Sequence, residues 1–255
     1  MPVRDWDGTS YDRISATMEA LGLEVLERLE LRGDETVLDA GCGSGRVTQA
    51  LIERLPHGHA IGLDESASMI AAARERLGPA ADLRVGDLLE LEPEEPVDAV
   101  LSTATFHWIA DHEKLFARLH AALRPAGRLV AQCGGEGNIE ILRGQAREVL
   151  AREPYARHFL DWQPPWNYAA PEPTRERLLA AGFSSANCWL TPAPRQPPEP
   201  REFLSTIVLG PYVQRLPEEL REPFMDDVLA QIAASSPAGE PVTVDYVRLN
   251  IDAVA

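Results

Sequence analysis

The sequence predicts an α/β fold: a mostly parallel β-sheet covered by helices on both faces, with an amino-terminal helix before it and a helical insertion before its last strand. Three observations carry this expectation. Short apolar runs alternate with helical patterns between residues 36 and 134, the signature of successive β-α-β steps. A glycine-rich turn, "GCGSG" at 41–45, follows the first apolar run directly. Aspartates stand at or near the carboxyl ends of the first three runs, as Asp39, Asp64 and Asp87.

In chain order, residues 9–30 place Ile14, Met18, Leu21, Val25 and Leu29 at helical spacing before the turn "LRGDE", which predicts an amino-terminal helix. The strand "TVLDA" leads to a helix over 45–55 with Val47, Leu51 and Leu55 on its inner face. "HAIGLD" is the next strand, followed by a helix over 66–77 that buries Met69, Ala73 and Leu77 and that Ser66 can cap. "DLRVGD" and "VDAVLSTA" are strands three and four. Asp111 caps a helix over 111–123 with Leu115, Leu119 and Leu123 inward, Pro125 stops it, and "PAG" turns the chain into the strand "GRLVAQC". Helical stretches over 138–153 and 173–181 precede the strand "GFSSANCWLTP". The proline-rich "TPAPRQPPEP" predicts an extended connection, then helices near 201–214 and 217–234. The closing "PVTVDYVRLNIDAVA" alternates well enough for a last strand. The expected organisation is an amino-terminal helical cap (1–34), a binding core (35–134) and a variable half (135–255) whose helical insertion spans about 201–240.

The chain has 255 residues, 45% of them hydrophobic and 25% charged, which suits a globular catalytic unit and argues against disorder. Its 24 basic and 40 acidic residues give a net charge of −16, which disfavours nucleic acid and anionic membrane surfaces as partners. Cys42, Cys133 and Cys188 lack the paired spacing of a zinc site, so no metal is expected, and their odd number fits a reducing cytoplasm. There is no signal-peptide core or membrane-length apolar run. A small-molecule substrate is therefore the expected partner, and nothing in these features sets an oligomeric state.

A glycine-rich first turn beyond a strand end lets ligand atoms approach the backbone, which places the loop for a nucleoside ligand. It is not a P-loop, because Arg46 and Val47 stand where Gly-Lys-Ser/Thr would continue. The dinucleotide fingerprint would need glycine at 46, and Asp39 would oppose a pyrophosphate. Asp39 suits a cationic ligand better.

The motif "DAGCGSG", an acid followed by G-x-G-x-G, resembles the first motif of the class I S-adenosylmethionine-dependent methyltransferases. That resemblance implies a Rossmann-like, seven-stranded sheet and S-adenosyl-L-methionine as cofactor. It puts Asp39 near the cofactor's methionine end, with the backbone of Gly41, Gly43 and Gly45 beneath the ligand and Cys42 filling a small-residue position. Asp64, with Glu65 beside it, occupies the second motif, where an acid accepts from both ribose hydroxyls. Met69 packs against adenine or simply in the core. "GDL" matches the third motif, with Asp87 accepting from the adenine amino group and Leu88 offering its backbone. "STATFHWIADHEKLFARLHAALRPAGRLV" resembles the later motifs, with an "HW" pair as in trans-aconitate methyltransferase-like members. Residues 102–108, Thr103 among them, then line the methionine side and the mouth of the substrate pocket, to which Tyr11, His107 and Trp108 are assigned. The family's Pro-Gly-Gly turn is Pro125-Ala126-Gly127 here.

Each of these residues also has a plain structural use. The glycines can make a tight turn, a lone aspartate can cap a helix, and the histidine-tryptophan pair can pack against the core. The order of the motifs favours the cofactor. The expected reaction is methyl transfer to a small molecule, weakly favouring O-methylation of a carboxylate or hydroxyl. A carboxylate nucleophile needs no base, whereas a hydroxyl or amine makes His107 the first candidate base. An anionic acceptor needs a locally basic pocket, with Arg143, Arg195 and Arg215 as candidate donors. The alternatives are a non-catalytic cofactor-binding module or an N- or C-methyltransferase of a natural product; a nucleic-acid methyltransferase is disfavoured by charge.

Overall fold

The computed structural model describes residues 16–92, 94–237 and 239–255, with side chains from Glu19 onward. Tyr11, Ile14 and the side chain of Met18 therefore lie outside the described residues. The chain forms two compact units: one comprises the described residues up to Glu136 with Asn167–Thr191 and Arg248–Ala255, the other Gly137–Trp166 with Pro192–Val247. The stretch 135–255 is thus divided between both units.

The first unit is built on a seven-stranded sheet of order β3-β2-β1-β4-β5-β7-β6. Its strands are β1 (Thr36–Ala40), β2 (His59–Asp64), β3 (Asp82–Val85), β4 (Val97–Thr103), β5 (Leu123–Gly134), β6 (Ser185–Pro192) and β7 (Val247–Val254). Pairings among β1 to β5 are parallel and β7 runs antiparallel to β5. The order reverses between β1 and β4, which opens the crevice in which α/β sheets bind ligands.

Helices α1 (Ala16–Glu27) and α2 (Arg46–Glu53) cover one face, where Val25, Leu26, Val47 and Leu51 pack with Val37, Leu101 and Val130. Helix α3 (Ala67–Leu77) closes over Leu83 with Ile70, Ala73 and Leu77. On the other face α4 (His112–Ala122) and α6 (Pro171–Ala180) bury Leu115, Phe116, Leu119 and Leu178 against Leu129, Ala131 and Ile251. The predicted caps are formed: Ser66 Oγ accepts from the Met69 N–H at 3.3 Å and Asp111 Oδ1 from the Lys114 N–H at 2.9 Å. Leu123, expected on the inner face of the helix, instead pairs with Val97 as the first residue of β5, where it is still buried.

The second unit packs α5 (Glu140–Leu150) against α9 (Glu218–Ser235), burying Leu142, Ala146, Phe224 and Val228. The segment expected as one helix over 201–214 is broken into α7 (Pro200–Phe203), a π-turn over Leu204–Val208 and α8 (Gly210–Arg215). Pro211 has no N–H to continue the ladder, so α8 restarts at the Gly-Pro pair. The last strand begins at Val247, later than the alternation from Pro241 suggested. Asp245 has left the ladder to accept the first-turn N–H groups of α5, Ile141 at 2.8 Å and Leu142 at 3.3 Å, and Val244 makes only a single bridge to Arg195.

Ala126, where the family's turn carries glycine, has φ +64°, a left-handed conformation that strains any residue with a Cβ by about 1–2 kcal/mol. Glycine there relieves the strain but gives the unfolded chain more freedom. Ala126→Gly should therefore raise the unfolding free energy by up to about 1 kcal/mol, read as a shift in urea midpoint at unchanged slope.

Candidate functional site

The loop after β1 turns back over β2, with the Gly41 and Cys42 N–H groups donating to the Leu63 carbonyl at 2.7 and 3.1 Å. Gly41 has φ +82°, and a Cβ there would lie 2.1 Å from Thr105 Oγ1. Thr105 sits in that vacant space and its hydroxyl lies 3.3 Å from the Gly41 carbonyl and 3.0 Å from that of Thr103. Gly43 differs: its φ is +54°, yet a Cβ would meet nothing within 4 Å. Gly41 is thus required by the protein's own packing, while Gly43 borders open space. Gly45 precedes α2 in the left-handed conformation, and Cys42 is buried with its sulfur where a side chain on Gly62 would collide.

Asp39 is 1% exposed. One oxygen, Oδ2, accepts from Thr48 Oγ1 at 2.7 Å, while Oδ1 is buried with no hydrogen-bond donor among the described residues. Burial drives its pKa up to about 7 against the opposing Thr48 bond, and the nearby Asp64 charge adds to the rise. Asp64, half-buried at the end of β2, is held by two backbone donors: Gly43 N–H reaches Oδ2 and Ser66 N–H reaches Oδ1, both at 2.9 Å. Burial raises its pKa while those two bonds hold it down. A carboxylate has about four acceptor positions, so two backbone bonds leave capacity for further donors.

Glu65 is exposed, and its pKa is raised by desolvation and then by the charges of Asp87 and Asp64, which puts three carboxylates along one rim of the sheet. Asp87 is exposed and accepts the Leu89 N–H at 2.8 Å as the cap of a short 3-10 turn, Leu88–Glu90. Met69 and Leu88 are buried, Leu88 in the main core. Thr103 ends β4, and its side chain lies beneath Gly22 of α1. The thiol pKa of Cys42 is pushed well above its usual range by burial and by Asp39 and Asp64, and burial lifts Cys133 and Cys188 to about 12. At neutral pH these thiols stay protonated and are poor nucleophiles.

His107 lies in a 3-10 turn after β4, is buried, and contacts the rings of Trp108 (centroids 5.1 Å apart) and Tyr168 (5.8 Å). Its Nδ1 accepts the N–H of Gly134, at the end of β5, at 3.3 Å. A backbone N–H can only donate, so Nδ1 carries no proton and the neutral ring has its proton on Nε2. The His107 carbonyl takes the Asn167 N–H at 2.8 Å, and Asn167 Nδ2 donates to the Ala110 carbonyl at 3.1 Å. Thr48, Thr105, Asn167 and Tyr168 did not stand out in the sequence. Thr105 alone had a signal, its place inside the "STATFHW" motif.

The fold thus brings the loop, Asp39, Asp64, Glu65, Asp87, Thr103 and His107 to the carboxyl ends of β1–β5. Of the three candidate arginines, Arg195 bonds its neighbour's carbonyl and pairs by backbone with Val244, and exposed Arg215 donates to the His158 carbonyl. Arg143 is 14% exposed by side chain and lies over the Trp166 ring.

Comparison with known proteins places these features in context. A family model described as "Methyltransferase domain" matches residues 37–127. The chain is 32% identical to a trans-aconitate 2-methyltransferase of Paracidovorax citrulli, over 97% of this chain and 95% of the relative. It is 30% identical to one of an Acidovorax species, over 88% and 87%. Among solved structures, the YcgJ protein of Bacillus subtilis superposes with a TM-score of 0.61 at 17% identity, covering 92% of this chain and 97% of that one. A Haemonchus contortus phosphoethanolamine N-methyltransferase does so at 0.61 and 19%, covering 97% and 56%.

Two predictions follow from the loop and from Asp39. Gly43→Ala places its methyl in open space at φ +54°, so the variant should stay folded at a cost of about 1–2 kcal/mol, while S-adenosylhomocysteine affinity, measured by calorimetry, falls at least about tenfold. Gly41→Ala instead drives into Thr105 and should lower stability whether or not ligand is present. The folded protein keeps the Asp39 proton up to about pH 7 while the unfolded chain releases it near pH 4, so stability falls as pH rises across that window, by about 4 kcal/mol in all. Urea titrations at several pH values should show that decline in the wild type and a shallower one in Asp39→Asn.

Proposed function

This chain belongs to the class I S-adenosylmethionine-dependent methyltransferases, and from that premise we propose that it transfers the cofactor's methyl group to a carboxylate oxygen of a small organic acid. The observation that carries the choice of a carboxylate is the Gly134 N–H on His107 Nδ1. It occupies Nδ1, the unprotonated nitrogen of the neutral ring, so His107 has no open basic nitrogen to receive a proton. A hydroxyl or amine acceptor must lose a proton and calls for a base. A carboxylate is already ionised at neutral pH and calls instead for hydrogen-bond donors that orient it. The relatives' names agree, since both are trans-aconitate 2-methyltransferases.

The residues present fit the cofactor. Oδ1 of Asp39, buried without a donor, suits the cationic methionine end, and the open space at Gly43 suits a ligand lying on the backbone. When bound, S-adenosylmethionine supplies a methyl group on a positively charged sulfur that leaves as a neutral thioether. Asp39 holds the ammonium end; Gly41, Gly43 and Gly45, with Cys42 between them, keep the backbone clear of side chains. Asp64, fixed by Gly43 and Ser66, accepts from the ribose hydroxyls, with Glu65 beside it. Asp87 accepts from the adenine amino group, Leu88 offers its backbone, and Met69 packs beneath the ring. Thr103 and Trp108 line the way to the acceptor, and His107 stands beside it as a positioning group. The O–C bond forms as the C–S bond breaks and its electron pair passes to sulfur, so the step moves no proton.

Incubation with methyl-labelled cofactor and a panel of acids, phenols and amines tests this proposal. Label should enter a base-labile methyl ester, with kcat at saturating cofactor flat between about pH 6 and 8. His107→Gln should raise KM for the acid more than it lowers kcat. Label in phenols or amines alone would overturn the carboxylate reading. Asp64→Ala should weaken cofactor binding, and unchanged affinity would overturn the site.

A further inference from the structure

Asp39 differs from the other motif aspartates in what holds it. Asp64 and Asp87 accept backbone N–H groups, whereas Asp39 accepts from a side chain, the hydroxyl of Thr48, at 2.7 Å to Oδ2. Both partners are buried, Thr48 at 0% exposure and Asp39 at 1%. The alternation of β1 places Asp39 with Val37 on the face covered by α2, while Leu38 and Ala40 join the opposite core. Thr48, the third residue of α2, meets Asp39 there. A threonine inside a helix can turn its hydroxyl back to the carbonyl one turn earlier; this one donates to the carboxylate instead.

That single bond makes the two oxygens unequal. Oδ2 already faces the hydroxyl hydrogen, while Oδ1 has no donor among the described residues. A proton taken up by the carboxyl group therefore goes to Oδ1. The neighbouring groups do not stand in for a ligand. Asp64 of β2 adds like charge and the Cys42 thiol stays protonated. Gly62 of β2 and Leu101 of β4, the strand partners of Asp39, carry no charge. Arg46 of α2 pairs with Glu19 of α1, and Arg76 of α3 donates to the Ser44 carbonyl at 3.0 Å. Burial raises the Asp39 pKa to about 7 and the Thr48 bond opposes that rise, so loss of the hydroxyl favours the protonated acid further.

We propose that Thr48 is a positioning residue for the cofactor: by holding Oδ2 of Asp39 it reserves Oδ1 for the ammonium, so that a proton and the ammonium compete for one oxygen atom. The inference rests on the reading that Asp39 meets the cofactor's methionine end. Its added content is twofold. Thr48 gives the site its selectivity for ligands that carry the ammonium, and such a ligand, on binding below neutral pH, displaces the proton from Oδ1 to the solvent buffer.

The test is calorimetry on the full chain with two ligands that share adenosine and a thioether: S-adenosylhomocysteine, which has the ammonium, and 5′-methylthioadenosine, which lacks it. Effects of Asp64 and Asp87 on the shared part cancel in the ratio of the two affinities. In the wild type that ratio should rise from about pH 5.5, by up to about tenfold per pH unit, and level off near pH 7. At about pH 6.5 S-adenosylhomocysteine should release more than about half a proton, read from buffers of different ionisation enthalpy. Thr48→Val keeps the shape without the hydroxyl; it should move the levelling-off upward by about one pH unit and leave 5′-methylthioadenosine affinity within about twofold. Thr48→Ser, which keeps the hydroxyl, should restore the wild-type profile. A packing role alone would weaken both ligands at every pH and leave the profile in place, and that result overturns the inference. Absence of proton release by the wild type overturns it as well. An unchanged ratio in Asp39→Asn overturns the reading of Asp39 and this inference with it. A ratio lowered in Asp39→Asn with no shift in Thr48→Val overturns the role of Thr48 alone.

Discussion

Thr105 occupies the space that a side chain on Gly41 would fill, and its hydroxyl lies against the carbonyls of Gly41 and Thr103. Next to it, Ser102 Oγ donates to the Ala40 carbonyl at 2.7 Å in a buried setting. These contacts tie the end of β1 to the end of β4, where the order of the parallel strands reverses. From that fixed corner the glycine loop runs one way and the His107 turn the other. The crevice is the gap between two segments that leave a common anchor in different directions. A Cβ at Gly41 would push them apart where their separation defines the site.

The second organising feature is an acidic rim whose charge the fold does not itself neutralise. Asp39 is buried with a single side-chain donor, Asp64 relies on two backbone N–H groups, and Glu65 feels both Asp64 and Asp87. Burying carboxylates close together costs stability, and Asp39 and Asp64, both with pKa raised by burial, carry that cost. Under the proposed function, a ligand with a sulfonium, an ammonium, ribose hydroxyls and an adenine amino group returns positive charge and donors to this rim. Sites that spend stability on such preorganisation bind what they lack.

Much of this could be read along the chain. The bounds of β1 and β2, the Ser66 and Asp111 caps and the inward faces of α2 and α3 are local matters of periodicity and capping. The motif aspartates, too, announce themselves by standing at consecutive strand ends. Other features could not be read this way. Thr48 is an ordinary helix residue until the fold puts it 2.7 Å from Asp39. Asp245 looked like part of a strand until α5 needed its first N–H groups capped. The helix expected over 201–214 failed at Gly210-Pro211, a local warning that the apolar spacing outweighed.

By itself, the sequence determined the α/β class, the succession of the parallel strands, the glycine-rich loop and the acids that follow it, because each depends on residues a few positions apart. The tertiary structure decided what those residues can do. The tautomer of His107 is set by an N–H from β5, and the raised proton affinity of Asp39 by its burial beside Thr48. The physical reason is the same in each case: proton affinity and hydrogen-bond partnership depend on distance through space and on the exclusion of water, and neither is a property of separation along the chain.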